Sequence, residues 1–270
     1  MRSNVGFLLC GVLIGAIAVK LIYREPRQID LTALPPPPRI ERTCGPSSGQ
    51  TAVIIIHGQS NAGNYGSSRY AARQAVDNFD PATGKCFAAV DPLLGTDGAG
   101  GNFATRLGDI LIQSGRYNRV ILAPIAVEGA SLSALNNEHA GRIENVILKL
   151  KAAGLVPTHL LFQQGEKDAM LTTTQDQYVS LLHQLVARFR AAGFEAPFYV
   201  SQSTKCDAVD PKNTIAVRAA QQSAIDGPLN IRRGPDTDTI GNEGRNPNDG
   251  CHLNEVGMLA NAALWAAFIR

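Results

Sequence analysis

Ser60 stands in IIIHGQSNAG (residues 54–63), where an apolar run meets Gly58 and then presents Gln-Ser-Asn on the turn that follows. A serine hydroxyl reacts only when a base takes its proton, and an imidazole serves when a carboxylate fixes its tautomer. Near the other end of the chain, NPNDGCHLNEVG (246–257) sets Asp249 and His252 three residues apart. Attack on a carbonyl also needs donors for the oxygen that turns negative. VEGAS (127–131) offers the N–H of Gly129, and QQGEKD (163–168) offers the Gln164 side-chain amide beside Glu166 and Asp168. Each stretch alone has an ordinary explanation, such as a helix-capping serine or a solvated acidic turn. Together they supply a nucleophile, a base with its orienting acid, and oxyanion donors. The serine turn is not a Gly-x-Ser-x-Gly elbow, because Gly63 arrives one residue late.

The elements around these stretches place all of them at strand or loop exits. TAVIII (51–56), RVILAPIAV (119–127), THLLFQQ (158–164) and APFYVSQS (196–203) read as strands buried on both faces. Between them, 103–115, 140–154 and 177–193 carry apolar residues at three- and four-residue spacing and stop at glycine. A final helix follows Asn254, a plausible N-cap. Alternating strands and helices predict a parallel sheet covered on both sides, with functional groups gathered where the strands end.

The chain of 270 residues divides into three parts. Residues 1–23 hold an uncharged apolar run from Val5 to Val19 behind Arg2, which predicts a membrane-spanning anchor or a signal helix. Ala-Ile-Ala at 16–18 suits cleavage, whereas Lys20 and the Leu-Ile-Tyr beyond it favour a retained anchor. Residues 24–50, with LPPPPR at 34–39, read as an extended tether, and the folded domain is expected over 51–270. The net charge of +2 belongs to the tether: beyond residue 42 the balance is 19 basic against 20 acidic residues, so no nucleic-acid partner is expected. Cys44, Cys86, Cys206 and Cys251 form an even set beyond the apolar segment, which permits two disulfides. Cys44 with Cys86 and Cys206 with Cys251 is the preferred pairing, although three connectivities remain open. No metal and no cofactor is expected, since no Cys-x-x-Cys or His-Glu-x-x-His occurs and His57, His139, His159 and His183 show no ligand spacing.

Read together, GQSNAG, VEGAS, QQGEKD and DGCH resemble the sequence blocks of the SGNH hydrolase superfamily, and in detail its sialate O-acetylesterase and acetylxylan esterase branch. The likeness runs from about residue 51 to the end. It implies an α/β fold of three layers (α/β/α) with a parallel, flavodoxin-like sheet. It also implies Ser60 as nucleophile, His252 as base, Asp249 as its orienting acid, and an oxyanion hole from the N–H groups of Ser60 and Gly129 and the Gln164 side chain. In this branch a glutamate of the Gln-Gly-Glu motif also acts on the histidine, so Glu166 is the alternate acid.

This chain departs from the branch at three places: Glu128-Gly129 replaces Gly-Gly, Leu135 or a neighbour stands where a tryptophan is common, and Phe162-Gln163 replaces Trp-His. The expected activity is hydrolysis of O-acetyl esters on a glycan outside the cytoplasm, periplasmic or extracellular, with the membrane as a second partner. Two rival readings stay open: a non-catalytic glycan-binding module, favoured by the carboxylate of Glu128, and a lipase or thioesterase of the same superfamily.

Overall fold

The computed structural model describes residues 30–45 and 50–269. The membrane-spanning or signal segment expected over 1–23 lies outside the described residues. Among the described residues no helix is long and apolar enough to cross a membrane.

One eight-stranded sheet organises the chain. Its strands are β1 (Glu41–Arg42), β2 (Thr51–Gly58), β3 (Val76–Asp80), β4 (Lys85–Ala88), β5 (Arg119–Pro124), β6 (His159–Gln163), β7 (Phe198–Gln202) and β8 (Ile231–Asp236), in the order β1-β4-β3-β5-β2-β6-β7-β8. From β3 to β8 the neighbours run parallel, while β4 joins β3 and β1 joins β4 antiparallel. The sheet is therefore mixed rather than wholly parallel as expected. The β3–β4 turn is too short for a crossover, so those strands must pair antiparallel.

The helices are α1 (Phe103–Gln113), α2 (Leu132–Asn136), α3 (Ala140–Ala152), α4 (Glu166–Met170), α5 (Gln175–Ala191), α6 (Pro211–Ser223) and α7 (Glu255–Phe268). All eight residues of β2 are buried. Its Ala52, Ile54 and Ile56 pack with Phe103, Leu107 and Leu111 of α1 and Met258 and Trp265 of α7. Val53 and Ile55 face the opposite layer, with Leu132 of α2, Val146 and Leu150 of α3, Leu182 and Phe189 of α5 and Val217 of α6. Burial on both faces explains why β2 reads as an unbroken apolar run rather than an alternating one.

Five helices begin on the caps that local chemistry favours: Asn102 accepts from the Ala104 N–H, Ser131 from the Ala134 N–H and Asp210 from the Lys212 N–H, Thr174 and Gln177 close a capping box, and Asn254 accepts from the Gly257 N–H. The last of these, two residues after His252, fixes where α7 starts.

The connectivity determines where a site can lie. After β2 the chain builds the β5 side of the sheet and then crosses to β6, so β2 lies between strands reached in opposite directions. The crevice at the C-terminal end of β2 is a topological switch point, the usual place for a ligand in an open α/β sheet. Two disulfides, Cys44–Cys86 and Cys206–Cys251, brace the periphery, in the pairing the sequence favours. Such bridges form and persist in oxidising compartments outside the cytoplasm.

Candidate active site

The exits of β2, β5 and β6 are laced together by backbone hydrogen bonds. Val127 N–H donates to Gly58 O (3.0 Å) and Gln59 N–H donates to Gln163 O (3.1 Å). Gly58 has φ 136°, and a Cβ there would lie 2.0 Å from the Gln163 carbonyl oxygen. Only glycine permits so close an approach in that conformation. The turn it allows carries Ser60 straight into a short 3₁₀ turn, Ser60–Ala62, in which the first N–H groups have no carbonyl of their own turn to bond.

The Ser60 Oγ lies 3.0 Å from His252 Nε2, and His252 Nδ1 lies 2.8 Å from Asp249 Oδ2. The carboxylate thus sets the tautomer: Nδ1–H donates to Asp249, leaving Nε2 to accept from the serine hydroxyl. Asp249 Oδ1 also accepts the N–H groups of Cys251 (2.8 Å) and His252 (3.0 Å). Partial burial works to raise the Asp249 carboxyl, but these hydrogen bonds from the ring and the two amides outweigh it and hold it below the usual carboxylate range. Tyr65 stacks on the imidazole, with ring centroids 5.3 Å apart and planes at 25°. Ser60 itself is buried, 5% exposed.

The loop that carries Asp249 and His252 is anchored beyond the triad. Cys251 is bridged to Cys206 just past β7, and its carbonyl accepts from Arg245 Nη1 (2.7 Å) and Asn61 Nδ2 (3.2 Å). Asn61 therefore ties the serine turn to the histidine loop.

Glu166, the alternate acid, makes no contact with His252. Its Oε1 accepts from Asn61 Nδ2 (2.9 Å) and Ser203 Oγ (3.2 Å). Complete burial pushes its carboxyl up, against the hydrogen bond from Asn61 that favours the charged form. The geometry gives the orienting position to Asp249 and leaves Glu166 supporting Asn61.

Gln164 also departs from the expectation. It is fully buried, and its amide N–H groups donate to Asp168 Oδ2 (2.5 Å) and the Ala130 carbonyl (3.2 Å), while Tyr178 donates to its Oε1 (3.0 Å). No hydrogen remains for a substrate oxygen, because Asp168, which also accepts the Leu132 N–H at the start of α2, competes for it. Gly129 stands exposed with φ 57°, and nothing lies within 4 Å of where a Cβ would be. Gly129 follows Val127, whose N–H bonds the carbonyl of Gly58 two residues before Ser60, while Gln164 is buried with both amide hydrogens engaged.

Three supporting residues escaped the sequence reading. Asn61 lay inside the quoted motif, but its partners are distant in sequence. Tyr65 and Arg245 carry no local signal, since stacking on an imidazole or donating to a loop carbonyl depends wholly on the fold. Among the described residues no group of three or more His, Cys, Asp or Glu is arranged to hold a metal ion.

The arrangement matches known proteins in fold and family. The family described as carbohydrate esterase, sialic acid-specific acetylesterase, matches residues 50–266. A protein of Arabidopsis thaliana superposes with a TM-score of 0.65 at 14% identity, covering 82% of this chain and 97% of its own. Axe2-W215I, an acetyl xylan esterase from Geobacillus stearothermophilus, gives a TM-score of 0.53 at 14% identity, with coverages of 83% and 96%. NanS gives 0.52 at 14% identity, with coverages of 81% and 96%. At such identities the likeness speaks for the fold. None of the curated proteins matches the chain by sequence.

Proposed function

The chain belongs to the sialic acid-specific acetylesterase family of carbohydrate esterases, and from that premise we propose that it removes O-acetyl groups from a glycan through an acyl-enzyme on Ser60. The observation that carries this reading is the unbroken Ser60–His252–Asp249 hydrogen-bond chain at the sheet's switch point. His252 Nε2 takes the hydroxyl proton as Ser60 Oγ bonds to the acetyl carbonyl carbon. The N–H groups of Ser60 and Gly129 receive the oxygen that becomes negative. The imidazolium, stabilised by Asp249, then protonates the departing sugar oxygen as the ester bond breaks. Water, deprotonated by the same imidazole, attacks the acetyl-serine; the bond from Ser60 Oγ to the acyl carbon then breaks, the imidazolium returns its proton to Ser60, and acetate leaves.

A glycan-binding module has no use for a base poised 3.0 Å from a serine, so the complete relay weighs against that rival. The two disulfides support action outside the cytoplasm. The apolar run at 5–19 supports tethering to the membrane. The test is acetate release from acetylated xylan and O-acetyl sialic acid by the wild type beside Ser60→Ala. Release by the wild type alone supports the reading, and equal release by both contradicts it.

A further inference from the structure

Beside the triad lies a cleft of about 690 Å³ whose walls include Asp30, Asn64, Tyr65, Ser67, Glu128 and Asn246. It is joined to the reacting groups at two points: Tyr65 stacks on His252, and Glu128 adjoins Gly129. Among the described residues its lining holds no lysine or arginine, and its carboxylates are Asp30, which is engaged in an interaction of its own, and Glu128. Glu128 is exposed, and the Tyr65 phenol beside it is neutral, pushed up by its burial and then by the Glu128 carboxylate. Of two guanidiniums nearby, one is neutralised by a carboxylate, and the other keeps its charge but has its donors held by backbone carbonyls. Arg142 pairs with Asp97 at 2.5 Å, and Asp97 in turn accepts the Glu128 N–H at 3.1 Å. Arg69 donates to the carbonyls of Ala99 (2.8 Å), Leu31 (2.6 Å) and Pro35 (3.0 Å).

We propose that the sugar half of the ester occupies this cleft and that Glu128 makes it a site for uncharged or cationic sugars. This rests on the esterase reading above. Glu128 accepts a hydrogen bond from a sugar hydroxyl or ammonium and opposes a sugar carboxylate. The family's named substrate, sialic acid, is an anion. A like charge within a few ångströms at a partly desolvated surface disfavours binding by roughly tenfold or more.

The experiment compares kcat/KM for acetate release from a 2,3,4-tri-O-acetyl methyl glucoside and from the 2,3,4-tri-O-acetyl methyl glucuronide, which carry the same three esters and differ at C6 by a hydroxymethyl group against a carboxylate, with O-acetyl sialic acid as a third substrate. The wild type is expected to favour the glucoside roughly tenfold at low salt, and Glu128→Gln to narrow that gap severalfold. Added salt should narrow it in the wild type as well, a measurement that stands even if the variant folds poorly. Equal or better turnover of the two anionic substrates overturns the proposal, as does a preference unchanged by both Glu128→Gln and salt. A wild type inert toward 4-nitrophenyl acetate overturns the esterase reading itself, and this proposal with it. Activity on that ester with no glucoside preference sinks this proposal alone.

Discussion

His252 Nε2 and Ser60 Oγ lie 3.0 Å apart across 192 residues of chain. Four separate features bring them together: Gly58 turns the chain out of β2, Asn254 caps α7 two residues after the histidine, the Cys206–Cys251 bridge pins the loop from behind, and Asn61 links the two turns.

The two carboxylates near the serine turn are predicted to differ sharply. Asp249→Asn should lower kcat by about 10³- to 10⁴-fold, because the imidazole then loses the partner that fixes its tautomer. Glu166→Gln should keep most of its turnover, since a neutral amide still accepts from Asn61 and Ser203. Steady-state kinetics of the two variants check this, and the reverse ranking would return the orienting role to Glu166.

Gln164→Ala is predicted to act on stability rather than on the transition state. It removes one buried hydrogen bond each from Asp168, Tyr178 and the Ala130 carbonyl and opens a cavity there, although Asp168 keeps the Leu132 N–H and Tyr178 keeps the backbone carbonyl of residue 164, so the melting temperature should fall by roughly 5 to 10 °C. Loss of an oxyanion donor would instead lower kcat by about 10² to 10³ in a protein that melts normally. Calorimetry and kinetics on one preparation separate the two.

The disulfides should also separate. Each closes a loop of similar length, 42 residues for Cys44–Cys86 and 45 for Cys206–Cys251, so each contributes about 4 kcal/mol by chain entropy. Only the second adjoins His252. The double variant Cys206→Ser with Cys251→Ser should lose kcat as well as stability, whereas Cys44→Ser with Cys86→Ser should lose stability alone. Assays below the melting temperature of each variant test this.

His57 provides a pH prediction. Burial pushes its imidazole down to about 3, and neither ring nitrogen closes a full hydrogen bond, with only weak support from the Ile125 backbone. The unfolded chain takes up this proton near pH 6.5 and the folded chain does not, so the stabilising contribution is whole above that pH and declines as pH falls toward 3, by about 1.4 kcal/mol per unit. Denaturant unfolding of the wild type and His57→Leu between pH 7 and 4.5 should show the steeper decline in the wild type, and parallel curves would refute it.

Much of this arrangement was legible in the sequence because it rests on local patterns. Strands β2, β5, β6 and β7 are apolar runs, and Asp249 and His252 are near neighbours. Strand β3 was not legible: Asp77, Asn78 and Asp80 give no apolar run, and each is buried on its own partners, Arg119 on Asp77 (2.6 Å), the Leu94 N–H on Asn78, and the Ala82 N–H and Thr83 hydroxyl on Asp80. Gly234 and Pro235 hid β8, which tolerates them as an edge strand pairing only with β7. Helix α6 shows weak apolar periodicity, although Asp210 before Pro211 marks its start. At the site, the choice between Asp249 and Glu166 and the withdrawal of Gln164 depend on which buried groups compete for each hydrogen, and spacing carries no information about that.

The most direct measurement of the central claim is labelling with a fluorophosphonate, followed by intact mass and peptide mapping, on the wild type, Ser60→Ala and His252→Ala. An activated serine should give one adduct, on Ser60, absent from Ser60→Ala and strongly slowed in His252→Ala. A wild type that stays unmodified, or an adduct that persists in Ser60→Ala, would contradict the account.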